Sequence, residues 1–437
     1  MMFAIIAQLK LIVWQIDFTG AYLNADIDHT IHMEQLQGFV LEGDDRVCLL
    51  IKALYRMMQA GHLWGKTLDE TYQKGNFTKS LADPCIRFKR KGEEYTLTGT
   101  YTDDVKGASS TAEGALNAKD ALKKHWELTD SNDLNLMLGV TVTQDKELGN
   151  ITLSQSAYFE RMLKVFSLFN LNPAPTPLIL GLQLERIPYP LPPDEVEFMA
   201  DKLFRPLLGS VMWGQASTRP DLSFAVSFLA QFQDNPGNIH WNALIHACRY
   251  IKGTLDYRIV YRGPRNNDTN DFGTKLKPYI YADVDYAGCL DTRRSTLGCI
   301  GIMASGPTVW ASKRQQCITT STTGAEYVSL GKAAEQAVWM SSWMDRLDLL
   351  QEKPVVINGD NLASISIVED HSHHQLSKHI YVQHHFIQEL VATKQVLIQS
   401  IPSKQNRADI LTKPLSPEAH DHIVQLLRVL FIGSLFY

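Results

Sequence analysis

The chain has 437 residues, 45% hydrophobic and 20% charged, a mixture that builds several globular cores and excludes a fibrous or disordered chain. A net charge of −5 counts against a general polyanion binder, although acidic metal sites can share a chain with basic stretches such as Arg249, Lys252, Arg258, Arg262 and Arg265, read here as solvated surface. Six scattered cysteines without a CxxC pair argue against a zinc site, and the apolar ends, broken by Lys10 and Arg428, are too short for a bilayer span and lack a secretory signal, so an intracellular location without membrane contact is expected.

Residues 11–18 (LIVWQIDF) predict a buried strand closing on Asp17. Apolar and long side chains predict a helix over 49–74, weakened at Gly61. Residues 95–101 and 105–108 flank YTDD, which predicts a hairpin with Asp103 and Asp104 at its tip. Helices are expected over 112–128 and 156–168. Prolines crowd residues 171–196, and proline fixes φ and removes a donor, so an extended linker is expected there. Residues 203–216 and 221–254 read as mostly helical, and the polar, turn-rich 263–278 marks a boundary. Beyond it come three strands, a long helix over 323–348, a strand ending at Asp360, a helix over 377–393, a strand and a short helix from 406. This is an α/β order.

Four acids are placed so that they can converge at one edge of that sheet. Asp283 lies in a strand, Glu326 in the first turn of the long helix, Asp360 at a strand end and Asp409 at a helix start. A phosphodiester is cleaved readily when two divalent ions share it, and Mg²⁺ takes oxygen ligands. Any one such acid is more often a helix cap. The set of four in this order is the signal. The run His371, His373, His374 lacks partner ligands and is read as a polar loop. Asp291, Arg293, Arg294 and Lys313 are candidate phosphate contacts, with ordinary surface charge the favoured reading.

The segments YADVDYAG, STLGCIGIMASGPTVWASKRQQCITTSTTGAEYVSL, INGDNLASISI, SKHI and NRADILTKPL resemble the RNase H domain of copia-type retroelements, over residues 277–416. The resemblance implies that Asp283, Glu326, Asp360 and Asp409 bind metal, that His379 of SKHI aids proton transfer or product release, and that the substrate is the RNA strand of an RNA–DNA hybrid. Upstream, WQIDFTGAYLNADIDHTIHMEQLQGF, VCLLIKALYRMMQAGHLW, YTDDV, LMLGVTV and ITLSQSAYFERML resemble the copia-type reverse transcriptase. GSVMWGQASTRPDLSFAV and HWNALIHACRYIKGTLDYRIVY resemble the segment joining it to RNase H.

These likenesses imply a metal set of Asp17, Asp103 and Asp104, a sugar-stacking Tyr22 and a nucleotide-contacting Gln59. They imply Mg²⁺ or Mn²⁺ as cofactor. RNA–DNA hybrid, RNA template with primer and deoxynucleoside triphosphates are the implied partners. The expected fold class is α/β and α+β, a truncated right-hand polymerase palm and thumb followed by an RNase H-like α/β domain. The expected divisions are 1–180 reverse transcriptase, 181–270 connection, 271–420 RNase H-like domain and 421–437 tail. Several departures accompany the likeness. Little sequence precedes the first strand motif, so the fingers are expected to be truncated and polymerase activity impaired. Met58 stands where the family carries a lysine, Thr102 makes YTDD of the usual YVDD, Gly324 replaces a glutamate and Tyr381 an aspartate. The expected function is a retrotransposon-derived RNA-directed DNA polymerase and hybrid ribonuclease using two-metal phosphoryl transfer. The alternative is an inactive remnant that at most binds nucleic acid.

Overall fold

A computed structural model describes residues 1–40, 43, 45–131, 135–264, 276–369 and 378–430. The chain divides into two compact units, Lys10–Asn135 and Met1–Leu9 with Leu136–Tyr437. Helix α1 (Met2–Gln8) belongs to the second. The fold class is mixed, α+β in the first unit and α/β in the C-terminal part of the second, as expected. Among the described residues no helix is long and apolar enough to cross a membrane.

The first unit is built on strand β1 (Ile12–Phe18), whose Trp14, Ile16 and Phe18 alternate onto the buried face. A short ribbon, β2 (His32–Met33) with β3 (Cys48–Leu49), lies apart from the main sheet. That sheet contains β4 (Thr78–Lys79), β5 (Ile86–Lys91), β6 (Glu94–Tyr101), β7 (Asp104–Ser109) and β8 (Leu128–Ser131), in the order β4-β5-β6-β7-β1-β8 and antiparallel throughout. Helices α2 (Ala60–Lys74) and α3 (Ala112–Lys123) supply Leu63, Trp64, Leu68, Ala118 and Leu122 to its core. The Trp14 ring lies over Gly107, where a Cβ would come within 2.1 Å of it, so β7 needs glycine at that point.

The helix expected from residue 49 begins only at Ala60. The backbone before it bonds sideways instead, Ile27 N–H to Ile51 O (3.1 Å) and Ala53 N–H to Ala25 O (2.9 Å), and Arg56 at φ +74° breaks a helical path. Long-range pairing has overridden helical propensity there.

In the second unit, β9 (Leu136–Met137), β10 (Val140–Gln144), β11 (Ile151–Ser154) and β12 (Arg258–Tyr261) join β18 (Val429–Leu430) in the order β18-β12-β11-β10-β9. Part of the expected tail thus forms structure, helix α12 (Pro417–Leu426) and then β18. Helices α4 (Ser156–Val165), α5 (Pro193–Met199), α6 (Phe204–Thr218), α7 (Ser223–Leu229) and α8 (Asn238–Gly253) lie between β11 and β12. The proline-rich stretch is irregular up to α5, but it is not a free linker. Its Ala174, Leu178 and Leu184 are buried in the core with Phe159, Leu207 and Leu244, because apolar residues alternate with the prolines.

Arg219 and Asp221, each 1% exposed, form the polar centre of this region. Arg219 Nη2 lies 2.7 Å from Asp221 Oδ2 and also donates to Thr254 Oγ1 (2.7 Å), while Tyr250 donates its hydroxyl to Asp221 (2.7 Å). The rings of Phe159, Tyr250 and Tyr257 enclose the guanidinium. Removing one partner of such a pair strands a buried charge. Asp221→Ala is therefore expected to cost about 3–5 kcal/mol in urea unfolding, and the double change Arg219→Met/Asp221→Leu much less. A loss in the double variant as large as in Asp221→Ala would show that a stranded charge is not what the single change costs.

The C-terminal sheet has β13 (Tyr279–Asp285), β14 (Thr296–Met303) and β15 (Gly306–Arg314) antiparallel, with β16 (Val355–Gly359) and β17 (Val396–Ser400) joined in parallel, in the order β15-β14-β13-β16-β17. The long helix α9 (Thr322–Asp345) packs its Ala333, Ala334, Ala337 and Met340 with Ile280, Ala282 and Ile357 of the sheet. Two helices, α10 (Leu362–Glu369) and α11 (Lys378–Ala392), fill the β16–β17 connection where one was expected. The extra helix begins where Asn361 Oδ1 accepts from Ser364 N–H (2.9 Å), and it buries Ile365 and Val368.

Candidate metal centre

Three of the four C-terminal acids converge. Asp283 comes from β13, Glu326 from α9 and Asp360 from the residue after β16. A ligand oxygen from each lies within 4.8 Å of those of the other two. Among the described residues this is the one such grouping of three. Glu326 sits one residue further into its helix than expected, just past the first turn, because Ser321 accepts from Gly324 N–H (3.1 Å) and starts the helix at Thr322. Gly324 therefore occupies the first turn, where its cost is small.

Neutral donors orient the acids. Thr412 donates its hydroxyl to Asp283 Oδ2 (2.6 Å), and Ser329 donates to the Asp283 carbonyl (2.8 Å). Asn406 Nδ2 donates to the Ala282 carbonyl (2.9 Å) and to Asp360 Oδ1 (3.3 Å). Asp409, the fourth acid, begins a 3₁₀ turn over Asp409–Leu411 and pairs with Lys413 Nζ at 2.7 Å. It stands outside the group of three, but its charge acts on Asp283 and Glu326.

Burial, followed by the charges of Asp283 and Asp360, pushes Glu326 up to about 8. Asp283, only 3% exposed, is raised by burial and then by Asp409. Asp285 is likewise raised, mainly by burial. Burial opposes the charge on Lys413, yet Asp283, Asp409 and Asp285 together raise its pKa. The donor set is all oxygen and carries more negative charge than its protein partners balance, which fits Mg²⁺ or Mn²⁺.

Lys413, Thr412 and Asn406 were not among the expected site residues. Their signal is the spacing around Asp409 in NRADILTK, but an acid and a lysine at i and i+4 is a common surface pair and did not single them out. His379 falls within α11 and its side chain lies outside the described part, as do residues 371, 373 and 374. Arg293 and Lys313 lie on the surface, and Asp291 accepts from the Arg186 N–H (3.2 Å).

The N-terminal acids meet through sheet register. Asp17 of β1 is paired with Asp104 of β7, and Asp103 occupies the turn. Thr102 takes φ +55° in that turn, which is pinned by Phe18 N–H to Asp103 O (2.8 Å) and Trp64 Nε1 to Thr102 O (2.7 Å). Asp17 is raised by burial, then by Asp103 and Asp104. Lys106 Nζ holds Asp104 Oδ1 at 2.6 Å and Gln15 Oε1 at 2.9 Å. Tyr22 packs on Tyr55, ring centres 4.7 Å apart, and its hydroxyl lies 3.5 Å from Thr102 Oγ1. Gln59 precedes α2 at its N-cap, and its side chain makes no capping bond.

Residues 1–180 match the family model for reverse transcriptase (RNA-dependent DNA polymerase). The chain is 31% identical over 411 residues to the retrovirus-related Pol polyprotein from transposon TNT 1-94 of Nicotiana tabacum, covering 93% of this chain and 30% of that relative. It is 29% identical over 417 residues to the corresponding polyprotein from transposon RE2 of Arabidopsis thaliana, covering 95% of this chain and 27% of that one. Over most of its length the chain is similar to Pol polyproteins of copia-type transposons. It spans less than a third of the length of these two curated Pol relatives. Among solved structures it is similar to the foamy viral protease-reverse transcriptase dRH in complex with ds DNA, at 11% identity and a TM-score of 0.49, covering 91% of this chain and 58% of that one.

The raised acids of the C-terminal cluster predict a pH dependence. Folded Glu326 keeps its proton to about 8, whereas its ordinary value is 4.5, so between these the folded state binds more protons than the unfolded state. The resulting stability is fully present below pH 4.5 and lost as pH rises through about 8. In chelator, urea midpoints should fall across that window, and Glu326→Gln should flatten the fall. An unchanged slope in the variant would disprove the assignment.

Proposed function

We propose that the C-terminal region is a divalent-metal-dependent ribonuclease acting on the RNA strand of an RNA–DNA hybrid. The observation that carries this reading is the convergence of Asp283, Glu326 and Asp360 with ligand oxygens within 4.8 Å of one another. Bound ions would activate the attacking water and stabilise the leaving oxygen. Asp283, Glu326 and Asp360 hold them, Asp409 is the fourth ligand, and Asn406 and Thr412 fix the carboxylate orientations. His379 is assigned to proton transfer near the leaving group. The domain reading that goes with this takes 1–180 as reverse transcriptase, 181–270 as connection, 271–420 as the ribonuclease domain and 421–437 as its tail.

Purified full chain with Mg²⁺ is expected to cut the RNA of a hybrid. Asp360→Asn should reduce cleavage to background, and Asn406→Ala should reduce it by about 10–100-fold, as for groups that orient a metal ligand. Equal cleavage by wild type and Asp360→Asn would refute the site. No cleavage by folded wild type would favour an inactive remnant that at most binds nucleic acid.

A second activity, RNA-directed DNA polymerisation on a primed RNA template with deoxynucleoside triphosphates, is supported by Asp17 and Asp104 in register and Asp103 in the pinned turn. Tyr22 is assigned to the sugar and Gln59 to the incoming nucleotide. This activity is impaired in our reading, because the fully exposed Met58 supplies no cation where the family motif has lysine for the phosphates. Met58→Lys is expected to raise primer extension several-fold, mainly by lowering KM for the nucleotide. Unchanged extension would show that the missing cation does not limit the reaction.

A further inference from the structure

Asp409 differs from the other acids of the C-terminal site in its partner. Asp283 and Asp360 bond to uncharged Thr412 and Asn406, whereas Asp409 meets the ammonium of Lys413 at 2.7 Å. We propose that Lys413 is a positioning residue, the built-in counter-ion of the acid cluster, which holds Asp409 in the metal-free protein and competes with a divalent ion for that carboxylate. This rests on the reading of the cluster as a metal site.

The local geometry suits an exchangeable cation. Thr412 ties the turn to β13, its one hydroxyl proton shared between Asp283 Oδ2 (2.6 Å) and the Asp409 carbonyl (2.9 Å), which holds the backbone next to Lys413. The Lys413 side chain is 40% exposed and has four rotatable carbons, so its head group can turn outward while its backbone stays. A divalent ion arriving at Asp409 repels that ammonium. Displaced to the rim, Lys413 is placed to meet a nucleic-acid phosphate as a point charge. Lys413 thus prevents the fourth acid from adding to the repulsion before ions bind, and yields it when they do.

The test uses the full chain in an Asp17→Asn/Asp104→Asn background, so that Mn²⁺ titrated calorimetrically reports the C-terminal cluster. Lys413→Met is expected to bind Mn²⁺ about tenfold more tightly, since a competing unit charge is gone. In chelator the same variant should melt about 2–4 °C lower, because Asp409 has lost its partner. Lys413→Arg should restore both values towards the parent. Mn²⁺ affinity unchanged by Lys413→Met, or the same in the Met and Arg variants, would overturn the role of Lys413. Mn²⁺ binding unaffected by Asp360→Asn would instead overturn the metal reading, leaving the melting shift as the separate measure of the Lys413–Asp409 pair.

Discussion

The burial of a close group of carboxylates governs the C-terminal site. Carboxylates held this close in a largely buried place oppose one another's ionisation, and burial alone is the largest cause of the shifts. The surrounding fold must hold them there. β13 and β16 lie side by side in parallel, which brings Asp283 near the end of one and Asp360 just past the end of the other, and α9 crosses behind with Glu326. The buried pair of Arg219 and Asp221 is the opposite solution. There charge meets charge, with the Arg219 guanidinium and the Tyr250 hydroxyl both donating to Asp221. One arrangement is complete within the protein, and the other has acid left over for a ligand.

Each unit treats its acids in a similar way. In the first, Lys106 reaches Asp104 from two residues along the same strand. In the second, Lys413 reaches Asp409 from four residues along a helical turn. The two spacings are those that put side chains on one face of a strand and of a helix. In both cases one acid of the set is balanced by a lysine.

Much of this was readable in the sequence. LIVWQIDF gave a strand because its apolar residues are bulky and β-branched, and YTDD between two strand-like runs gave the turn. The order of elements after residue 277 sets the four acids near one sheet edge, and three of them, Asp283, Glu326 and Asp360, converge. The failures have local physical causes. Residues 49–59 have helical composition, but Ala53 donates to the Ala25 carbonyl, the Ile51 carbonyl accepts from Ile27 and Leu50 donates to the Ile31 carbonyl, a long-range fact that periodicity does not encode. LASISIVE was missed as a helix because its β-branched residues suit a strand equally well. The proline-rich stretch carries buried apolar residues that composition alone assigned to a linker. Lys413 was passed over because only three-dimensional placement separates it from an ordinary surface lysine.

The second unit is discontinuous in sequence. Helix α1 buries Ile5 and Ile6 and packs on β11 and β12, strands that lie far beyond the continuous unit Lys10–Asn135. During synthesis the intervening unit has all its strands at hand and can fold while the first nine residues still wait. At ordinary ribosomal rates that wait is roughly ten seconds, with an apolar helix face uncovered throughout. The arrangement sets a folding order in which the inserted unit is made first and the flanking segments close afterwards.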